Sequence, residues 1–400
     1  MRGKSVVAGR RELEGQLRYE RTEVGASSVL HEFSRALGVE ADQSLGHGPD
    51  AVGVVGVVAG HAPLVKRLAV ERLQIGSPGE RRYRLEAAGS VTLPENLPHG
   101  YHGLEVRAGD SIARTRLIVC PDRAWLPAAL ERGERRAGIA VSLFGLRGAS
   151  TWGCGDFTAL RGLIDWVADD LGGSYVALNP LHAIHNRQPF NTSPYLPVSA
   201  YFRNPLYLDL GAIPELKECP RARRLWNRPS IQAELARLRD AEFVEYERVW
   251  RLKRVFLKLA WRRRRPEFEA WWQQHRSQLL ERFSTYCELD IQRHLADRNA
   301  WNWPAWPVDY RRPENSAVEQ FKVQNDEAIR FHSYLQFLID EQLAAAQQAA
   351  LDAGIRFGLY HDLALATDSG GADTWMFPEL YVPGCRVGAP PDGFSPEGQD

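Results

Sequence analysis

Two short, almost continuously apolar segments restrict the folds open to this chain more than any other feature of its sequence. Residues 138–146 (GIAVSLFGL) and 175–181 (YVALNPL) have the length of strands and lack the polar alternation of a half-solvated sheet. The residues between them, 156–171, repeat apolar side chains at helical spacing, namely Phe157, Leu160, Leu163, Ile164 and Val167. Strand, helix and strand in this order predict a βαβ unit with parallel, buried strands.

A further unit of the same kind follows later in the chain. Residues 319–353 have the pattern of a long helix, and residues 355–365 (IRFGLYHDLAL) that of the strand after it. A short strand at 206–210 and a helical stretch at about 231–299 are predicted between the second strand and this helix. About three of the eight strands that a closed barrel needs are therefore recognised in the sequence.

The predicted fold class is α/β, with a partial (β/α)8 TIM-type barrel over residues 137–400 and a helical insertion at about 215–330. Within the insertion, Lys253 falls on the apolar stripe of a helix and is expected to lay its stem along it. Four arginines, residues 262–265, end that helix before Pro266. They are interpreted as a solvated helix C-terminus rather than as an anion-binding patch.

The first 122 residues have a different pattern. Residues 1–45 are predicted to form a polar tail with a short helix at 28–37, and residues 46–122 a small all-β sandwich of antiparallel strands. The predicted strands are 54–59, 64–70, 81–87, 104–108 and 113–119. A turn at 93–104 (LPENLPHGYHGL) joins two of them.

Composition excludes several functional classes. Lys+Arg and Asp+Glu are both 50, so the basic excess of a nucleic-acid-binding protein is absent. The five cysteines are scattered without a CxxC pair, which argues against a disulfide framework or a zinc site and favours a reducing compartment. No apolar run approaches the roughly 20 residues that cross a bilayer, and the N-terminus lacks the core of a signal peptide. We therefore expect a cytoplasmic protein that binds neither nucleic acid nor membranes.

Neither a cofactor nor a metal is predicted. The glycine-rich segment 53–60 (GVVGVVAG) matches neither nucleotide-binding motif, and it lies in a β-rich region without a following helix. The 11 histidines show no HExxH motif and no pairing at metal-ligand spacing.

Four distinctive segments occur in order from residue 142 onward. They are SLFGLRGASTWGCGDF (142–157), the stretch from NPLHAIHN to LYLDL (179–210), WNWPAWP (301–307) and the stretch from GLYHDLAL to GFSPEGQD (358–400). Together they resemble the 4-alpha-glucanotransferase family, also called amylomaltase or disproportionating enzyme, glycoside hydrolase family 77. The LPHGYH turn in the predicted sandwich is similar to that of the bacterial, maltodextrin-using branch.

The resemblance implies a reaction and a substrate class. The family cuts an α-1,4-glucan through a covalent glycosyl-enzyme intermediate and passes the glycosyl group to the 4-hydroxyl of another glucan or of glucose. The three carboxylates of that chemistry lie in the family on later barrel strands, beyond residue 400. The expectation is therefore an N-terminal fragment that contains no catalytic residue, is inactive by itself and is partly unfolded in isolation.

Three residues are assigned to substrate binding at the ends of predicted strands. Ser193 and Tyr195 match the SPY motif of the family, in which the tyrosine lies beside the glucan. Asp362 matches the aspartate of GLYxDL, and the end of a barrel strand would direct it into the mouth of an active site. For each residue the alternative is structural: a tyrosine packed in the core, or a carboxylate bonded to backbone.

Four more substrate contacts are expected by resemblance. Asp373 and Trp375 belong to the GADTW segment, where a capping aspartate and a buried tryptophan are the alternatives. Asp392 and Phe394 lie in residues 388–399, which match a lid loop over the active site; a lid that excludes water favours transfer over hydrolysis.

Several other motif residues are expected to support the fold. Asp156 is predicted to cap the following helix and Asn204 to fix a loop. Trp303 and Trp306 are expected mainly to pack the barrel wall.

Two functions of other classes stay open at this point. One is a non-catalytic α-glucan-binding protein, and the other is an α-amylase-like hydrolase with the same barrel and mechanism. The products formed from a short maltodextrin separate them from a transferase.

Overall fold

A computed structural model describes residues 53–59, 72–76, 83–85, 97–108, 111–121, 123–124, 126–187, 192–382, 384–385, 388–393 and 395–398. The chain divides into two compact units, Met1–Glu134 and Arg135–Asp400. The helix predicted at 28–37 and the strand predicted at 64–70 lie outside the described residues.

The N-terminal unit contains one mixed sheet among its described residues. Its elements are β1 (Gly53–Ala59), β2 (Arg72–Gly76), β3 (Tyr83–Leu85), β4 (Gly100–Ala108), β5 (Ser111–Pro121) and the short helix α1 (Ala128–Glu131). The strand order is β1-β5-β4-β2-β3, and β4 and β5 form a hairpin in which Ala108 faces Ser111. The strand β1 pairs with β5 in parallel, so the antiparallel prediction was wrong for this pair.

The turn predicted at 93–104 is shorter than expected, because β4 begins at Gly100. The buried ring of His102 donates from Nε2 to the carbonyl of Pro98 at 2.8 Å, which holds the start of the strand against the preceding turn.

The C-terminal unit is built on a parallel sheet of three short strands, β6 (Ile139–Val141), β7 (Val176–Leu178) and β10 (Leu359–His361), in the order β10-β7-β6. The helix α2 (Phe157–Asp169) connects the first two, and the side chain of Asp156 caps it by accepting from the Ala159 N–H at 2.9 Å. The βαβ prediction, the α/β class and the capping role of Asp156 are thereby confirmed.

A small hairpin and a set of helices fill the chain between β7 and β10. They are β8 (His182–Ala183), β9 (Ser199–Arg203), α3 (Pro214–Lys217), α4 (Pro220–Trp226), α5 (Pro229–Asp240), α6 (Tyr246–Trp261), α7 (Pro266–His275), α8 (Gln278–Ala296), α9 (Ser316–Gln324) and α10 (Asp326–Asp352). The helix α11 (Ala372–Met376) follows β10. The predicted stretch 231–299 is thus several helices, because Pro266 starts α7 and the Ser277 hydroxyl caps α8.

The strand predicted at 206–210 was wrong. Residues Pro205–Tyr207 and Leu210–Ala212 are 3-10 turns. The carbonyls of Leu206 and Leu208 both accept hydrogen bonds from one side chain. The ammonium of Lys253 donates to the carbonyls of Leu206 at 2.6 Å and Leu208 at 2.7 Å, and the lysine is 0% exposed. The aliphatic stem of Lys253 follows the apolar stripe as expected, but its ammonium group is buried in the protein interior instead of reaching solvent.

Two of the four arginines after α6 form ion pairs with side chains of the same unit. Arg264 stacks its guanidinium on Trp261 at 3.8 Å and pairs with Glu327 at 3.0 Å. Arg265 bonds Glu215 at 3.1 Å and also pairs with Glu341. These two guanidinium groups already have carboxylate partners, which agrees with the interpretation against an anion-binding patch.

Replacing Lys253 by methionine tests how much the C-terminal unit depends on the buried ammonium. Lys253→Met leaves two buried carbonyls without donors, so we expect a loss of about 2–5 kcal/mol in the free energy of unfolding. Urea unfolding followed by tryptophan fluorescence measures it, since every tryptophan except Trp125 lies in this unit. The exposed Lys217, changed to Met, is the matched control and should shift stability by less than about 0.5 kcal/mol. Equal effects of the two changes would contradict the role given to Lys253.

Candidate functional site

The candidate site lies where the three parallel strands of the C-terminal unit end. Asn179 follows β7, and its side-chain oxygen accepts from the Leu143 N–H after β6 at 3.1 Å. Asp362 follows β10 directly. Because the carboxyl ends of parallel strands share one edge of the sheet, these loops meet on the face that carries the active site in (β/α)8 enzymes.

Tyr195 and Asp362 form the centre of the site. The Tyr195 hydroxyl donates to Asp362 Oδ2 at 2.8 Å, although 167 positions separate the two residues. This bond raises the pKa of Tyr195, so the phenol remains a donor. The tyrosine is 52% exposed, which leaves much of its ring open to a ligand. The structure thus brings together two of the residues assigned to substrate binding.

Ser193 shapes the turn that carries Tyr195. Its hydroxyl oxygen accepts from the Tyr195 N–H at 3.3 Å, and the serine is itself half-buried. This contact explains why a short polar residue precedes the Pro-Tyr pair.

Backbone hydrogen bonds join the segment around Tyr195 to the segment after β10. The Asp368 N–H donates to the Pro197 carbonyl at 2.8 Å, and the Ala372 N–H to the Val198 carbonyl at 2.7 Å. A Cβ on Gly371 would lie 2.7 Å from the Val198 carbonyl oxygen, so only glycine permits this approach. The pairing fixes the position of Tyr195 relative to Asp362.

His182 adds a contact next to Asp362. Its Nε2 accepts from the Ala364 N–H at 3.1 Å. Burial, and then the nearby Arg203, lower the pKa of His182, which favours the neutral ring that this contact needs. The contact holds β8 against the loop that begins at Asp362.

Asp373 and Trp375 lie in the interior, each only 1% exposed. Asp373 Oδ2 accepts from the Ala200 N–H at 2.8 Å, and burial raises the pKa of this carboxyl. The Trp375 indole donates to the Tyr310 carbonyl at 2.8 Å and packs against Trp306. These are the contacts of supporting residues; substrate contact by either one stays a prediction.

The predicted lid is a compact turn in its described part. Asp392 is exposed, and its Oδ1 accepts from the Ser395 N–H at 2.7 Å. The Ser395 hydroxyl donates to the Gly398 carbonyl at 2.6 Å. Gly398 has a φ of +79°, and a Cβ there would lie 2.7 Å from the Ala389 carbonyl oxygen. Phe394 lies outside the described residues.

The expected supporting residues have structural contacts. Asn204 exchanges two side-chain hydrogen bonds with Asn186, at 2.7 and 2.9 Å, and accepts from the Leu206 N–H. Trp306 is 0% exposed, and the indole of the half-buried Trp303 donates to Thr374 at 3.0 Å. These contacts agree with the loop-fixing role of Asn204 and with the packing role of the two tryptophans.

A buried ionic cluster, which sequence reasoning missed, lies behind the site. His185 Nε2 is 3.5 Å from Asp368 Oδ2, and His185 Nδ1 is 3.8 Å from Asp290 Oδ2. Arg187 completes the cluster through Asp290 at 3.0 Å and the Trp301 carbonyl at 2.7 Å. No sequence signal could have found it, because its members come from three distant segments without a motif spacing.

The pKa of His185 is raised in this cluster. Burial opposes the charge, but the nearby carboxylates of Asp290 and Asp368 outweigh it and raise the pKa of His185. The pKa of Asp368 is lowered correspondingly: burial acts against its charge, and His185 favours it. The cluster therefore ties the loop after β10 to the loop after β8 and to α8.

Neither a metal site nor a membrane span is found in the described ranges. No group of three or more His, Cys, Asp and Glu side chains is arranged to hold a metal ion there. Among the helices of those ranges, none is long and apolar enough to cross a bilayer.

Two family descriptions match the chain. Residues 141–400 match 4-alpha-glucanotransferase, and residues 63–121 match the MalQ N-terminal beta sandwich domain. The family expected from the motifs and the sandwich expected before residue 122 are both confirmed.

Curated relatives carry the same description. A 4-alpha-glucanotransferase of Mycobacterium tuberculosis is 38% identical over 322 residues, covering 78% of this chain and 43% of the relative. One of Haemophilus influenzae is 31% identical over 363 residues, covering 83% and 51%. The chain thus spans about half the length of the curated relatives it matches.

Two solved structures of amylomaltases are similar to this chain. Amylomaltase from Corynebacterium glutamicum has a TM-score of 0.67 at 28% identity, covering 93% of this chain and 55% of the other. Amylomaltase from Streptococcus agalactiae in complex with acarbose has a TM-score of 0.52 at 19% identity, covering 66% and 52%, and shows the fold alone.

The ionic cluster predicts a pH dependence of stability. Because the folded pKa of His185 is raised, its contribution is fully present below about pH 6.5, the unfolded value, and is lost as pH rises through the folded pKa. We expect the free energy of unfolding of the wild type to fall over this window relative to that of His185→Gln.

Urea unfolding at a series of pH values from about 6 to 9 measures this difference, and the other histidines cancel because they titrate in both proteins. The exposed His275, changed to Gln, is the control and should keep the wild-type profile. A constant difference between the wild type and His185→Gln across the series would contradict a raised pKa of His185.

Proposed function

Because the chain belongs to the 4-alpha-glucanotransferase family, we propose that the protein transfers a segment of a 1,4-α-glucan to the 4-hydroxyl of an acceptor glucan or glucose. The observation that carries the proposal beyond family membership is the Tyr195–Asp362 pair at the ends of the parallel strands. An aromatic face beside a hydrogen-bonding carboxylate suits a sugar ring, which presents a flat apolar face and a rim of hydroxyls.

Tyr195 and Asp362 would contact different parts of the sugar ring. The exposed Tyr195 offers its face for stacking, while its hydroxyl is directed to Asp362. Asp362 Oδ1 has no hydrogen-bond partner among the described residues and is available to accept from a sugar hydroxyl. An ionised carboxylate is a strong acceptor, so this contact would fix the orientation of the ring.

The proposed reaction is a retaining double displacement. A carboxylate attacks the anomeric carbon while a carboxylic acid protonates the leaving 4-oxygen; the resulting carboxylate then deprotonates the acceptor 4-hydroxyl, which displaces the enzyme carboxylate. We assign no residue of this chain to the nucleophile or the acid/base. The residues named here bind and orient the glucan.

The other predicted residues have roles around this pair. We propose that Ser193 presents Tyr195 and that Asp373 and Trp375 support the segments beneath it. We propose that Asp392 and Phe394 belong to a lid that excludes water from the glycosyl-enzyme, so that a sugar acceptor competes successfully. The five cysteines, all described, form no disulfide, and together with their scattered positions this supports our placing the protein in the cytoplasm.

Substitutions at Tyr195 test the binding role. Tyr195→Ala removes the stacking face and should weaken the binding of maltoheptaose about 10–100-fold, while Tyr195→Phe keeps the ring and should cost about 3–10-fold. Isothermal titration calorimetry measures both. Tyr201→Phe is the matched control, because Tyr201 is also 52% exposed but has no contact with Asp362. Unchanged affinity in Tyr195→Ala would refute this assignment.

Products formed from maltotriose test the reaction itself. A transferase gives glucose together with oligomers longer than the substrate, and chromatography separates the series. Release of reducing ends without longer products would establish an α-amylase-like hydrolase instead. Binding of maltoheptaose with no products, both by this chain and by one extended to include the three carboxylates of the family, would establish a glucan-binding protein.

A further inference from the structure

A cavity of about 430 Å³ lies within the helical insertion, between α6 and α8. The helix α10 and the loop after β8 form its other walls. Trp250, Phe283 and Leu335 supply apolar surface. Its size is that of a small-molecule site. Neither Tyr195 nor Asp362 lines it, whereas His185, Arg187 and Asp290 of the ionic cluster do.

Two cations in this cavity lack partners. Arg254 and Lys258 lie one turn apart on α6, so both side chains are on the same face of the helix. Neither side chain makes a hydrogen bond or ion pair with any residue that the structure describes, and the buried Nε of Arg254 has no acceptor. Two like charges at this spacing destabilise a helix unless an anion lies between them.

The other two arginines that line the cavity already pair with carboxylates. Arg187 pairs with Asp290 at 3.0 Å, and Arg251 pairs with Glu247 at 2.8 Å. Arg254, which is half-buried, and Lys258, which is exposed, are therefore the two arginine or lysine residues of the lining without a carboxylate partner.

Glu288 interacts electrostatically with Arg254 and Lys258 but forms an ion pair with neither. Its Oε2 is 3.1 Å from His332 Nε2 and its Oε1 accepts from Gln292 at 2.8 Å. Neither oxygen is within the 4.0 Å of an ion pair with Arg254 or Lys258. Burial, and then the Arg254 charge, lower the pKa of Lys258, while Glu288 acts in the opposite direction.

We propose that this cavity binds a small organic oxyanion whose phosphate or carboxylate bridges Arg254 and Lys258 and whose compact apolar body packs on Trp250 and Leu335. The planar guanidinium offers paired N–H donors that match either head group, and the ammonium adds a second charge. A neutral glucan would leave both cations unpaired.

Binding of phenyl phosphate, benzoate, phenol and inorganic phosphate, measured by isothermal titration calorimetry on the whole chain, tests the proposal. We expect saturable binding of phenyl phosphate or benzoate, with the tighter of the two identifying the head group. Phenol and inorganic phosphate should each bind at least about tenfold more weakly, because one lacks the charge and the other the apolar body. Maltoheptaose should not compete.

Charge-removing variants complete the experiment. Arg254→Gln and Lys258→Gln should each weaken binding of the preferred probe about 10–100-fold. Arg251→Gln, on the same helix but already paired with Glu247, should change it less than about twofold. Thermal unfolding of each variant shows that it remains folded.

Three outcomes would overturn the proposal. They are the absence of saturable binding by both aromatic anions, phenol binding as tightly as the anions, and Arg254→Gln and Lys258→Gln binding like the wild type. A fourth outcome, inorganic phosphate binding as tightly as phenyl phosphate, would also overturn it, because the site would then bind the ion without an organic body.

Discussion

The C-terminal unit depends on one buried charge, the ammonium of Lys253. A charge in the interior is tolerated only where dipoles and opposite charges surround it. Two backbone carbonyls bind it directly, and the nearby Asp156 and Asp209 oppose the loss of its proton, although burial lowers its pKa. The same two carboxylates cap α2 and the 3-10 turn after residue 209. One ammonium group thereby holds together the starts of several elements.

The candidate site is positioned from this fixed segment. Asn204 lies just before the carbonyls bound by Lys253, and its side chain exchanges two hydrogen bonds with Asn186. Asn186 has a φ of 51°, the left-handed conformation that asparagine tolerates better than most residues. That geometry directs the preceding residue, His185, toward Asp368 and Asp290. Polar side chains thus connect the insertion to the loops that carry Tyr195 and Asp362.

The sequence predicted well what local pattern determines. The continuous apolar runs predicted the parallel strands. The position of Asp156 before an amphipathic helix predicted that its side chain caps that helix. The motif residues Tyr195 and Asp362 could be paired only through a resemblance, because 167 positions separate them. The strand at 206–210 was wrong because its apolar alternation suits a strand, whereas a lysine about 45 residues later takes the carbonyls. Burial of Asp373 and Trp375 could not be read from residue type, since both types occur in sugar sites and in cores alike.

The close approach of Gly371 to Val198 has a consequence for how a ligand enters. The segments before β9 and after β10 are joined by backbone hydrogen bonds and by His185, so separating them would break several interactions at once. The two segments can separate only if these interactions break together. The spacing between these two segments is therefore fixed, so a ligand of the kind proposed for Tyr195 would meet a preformed surface.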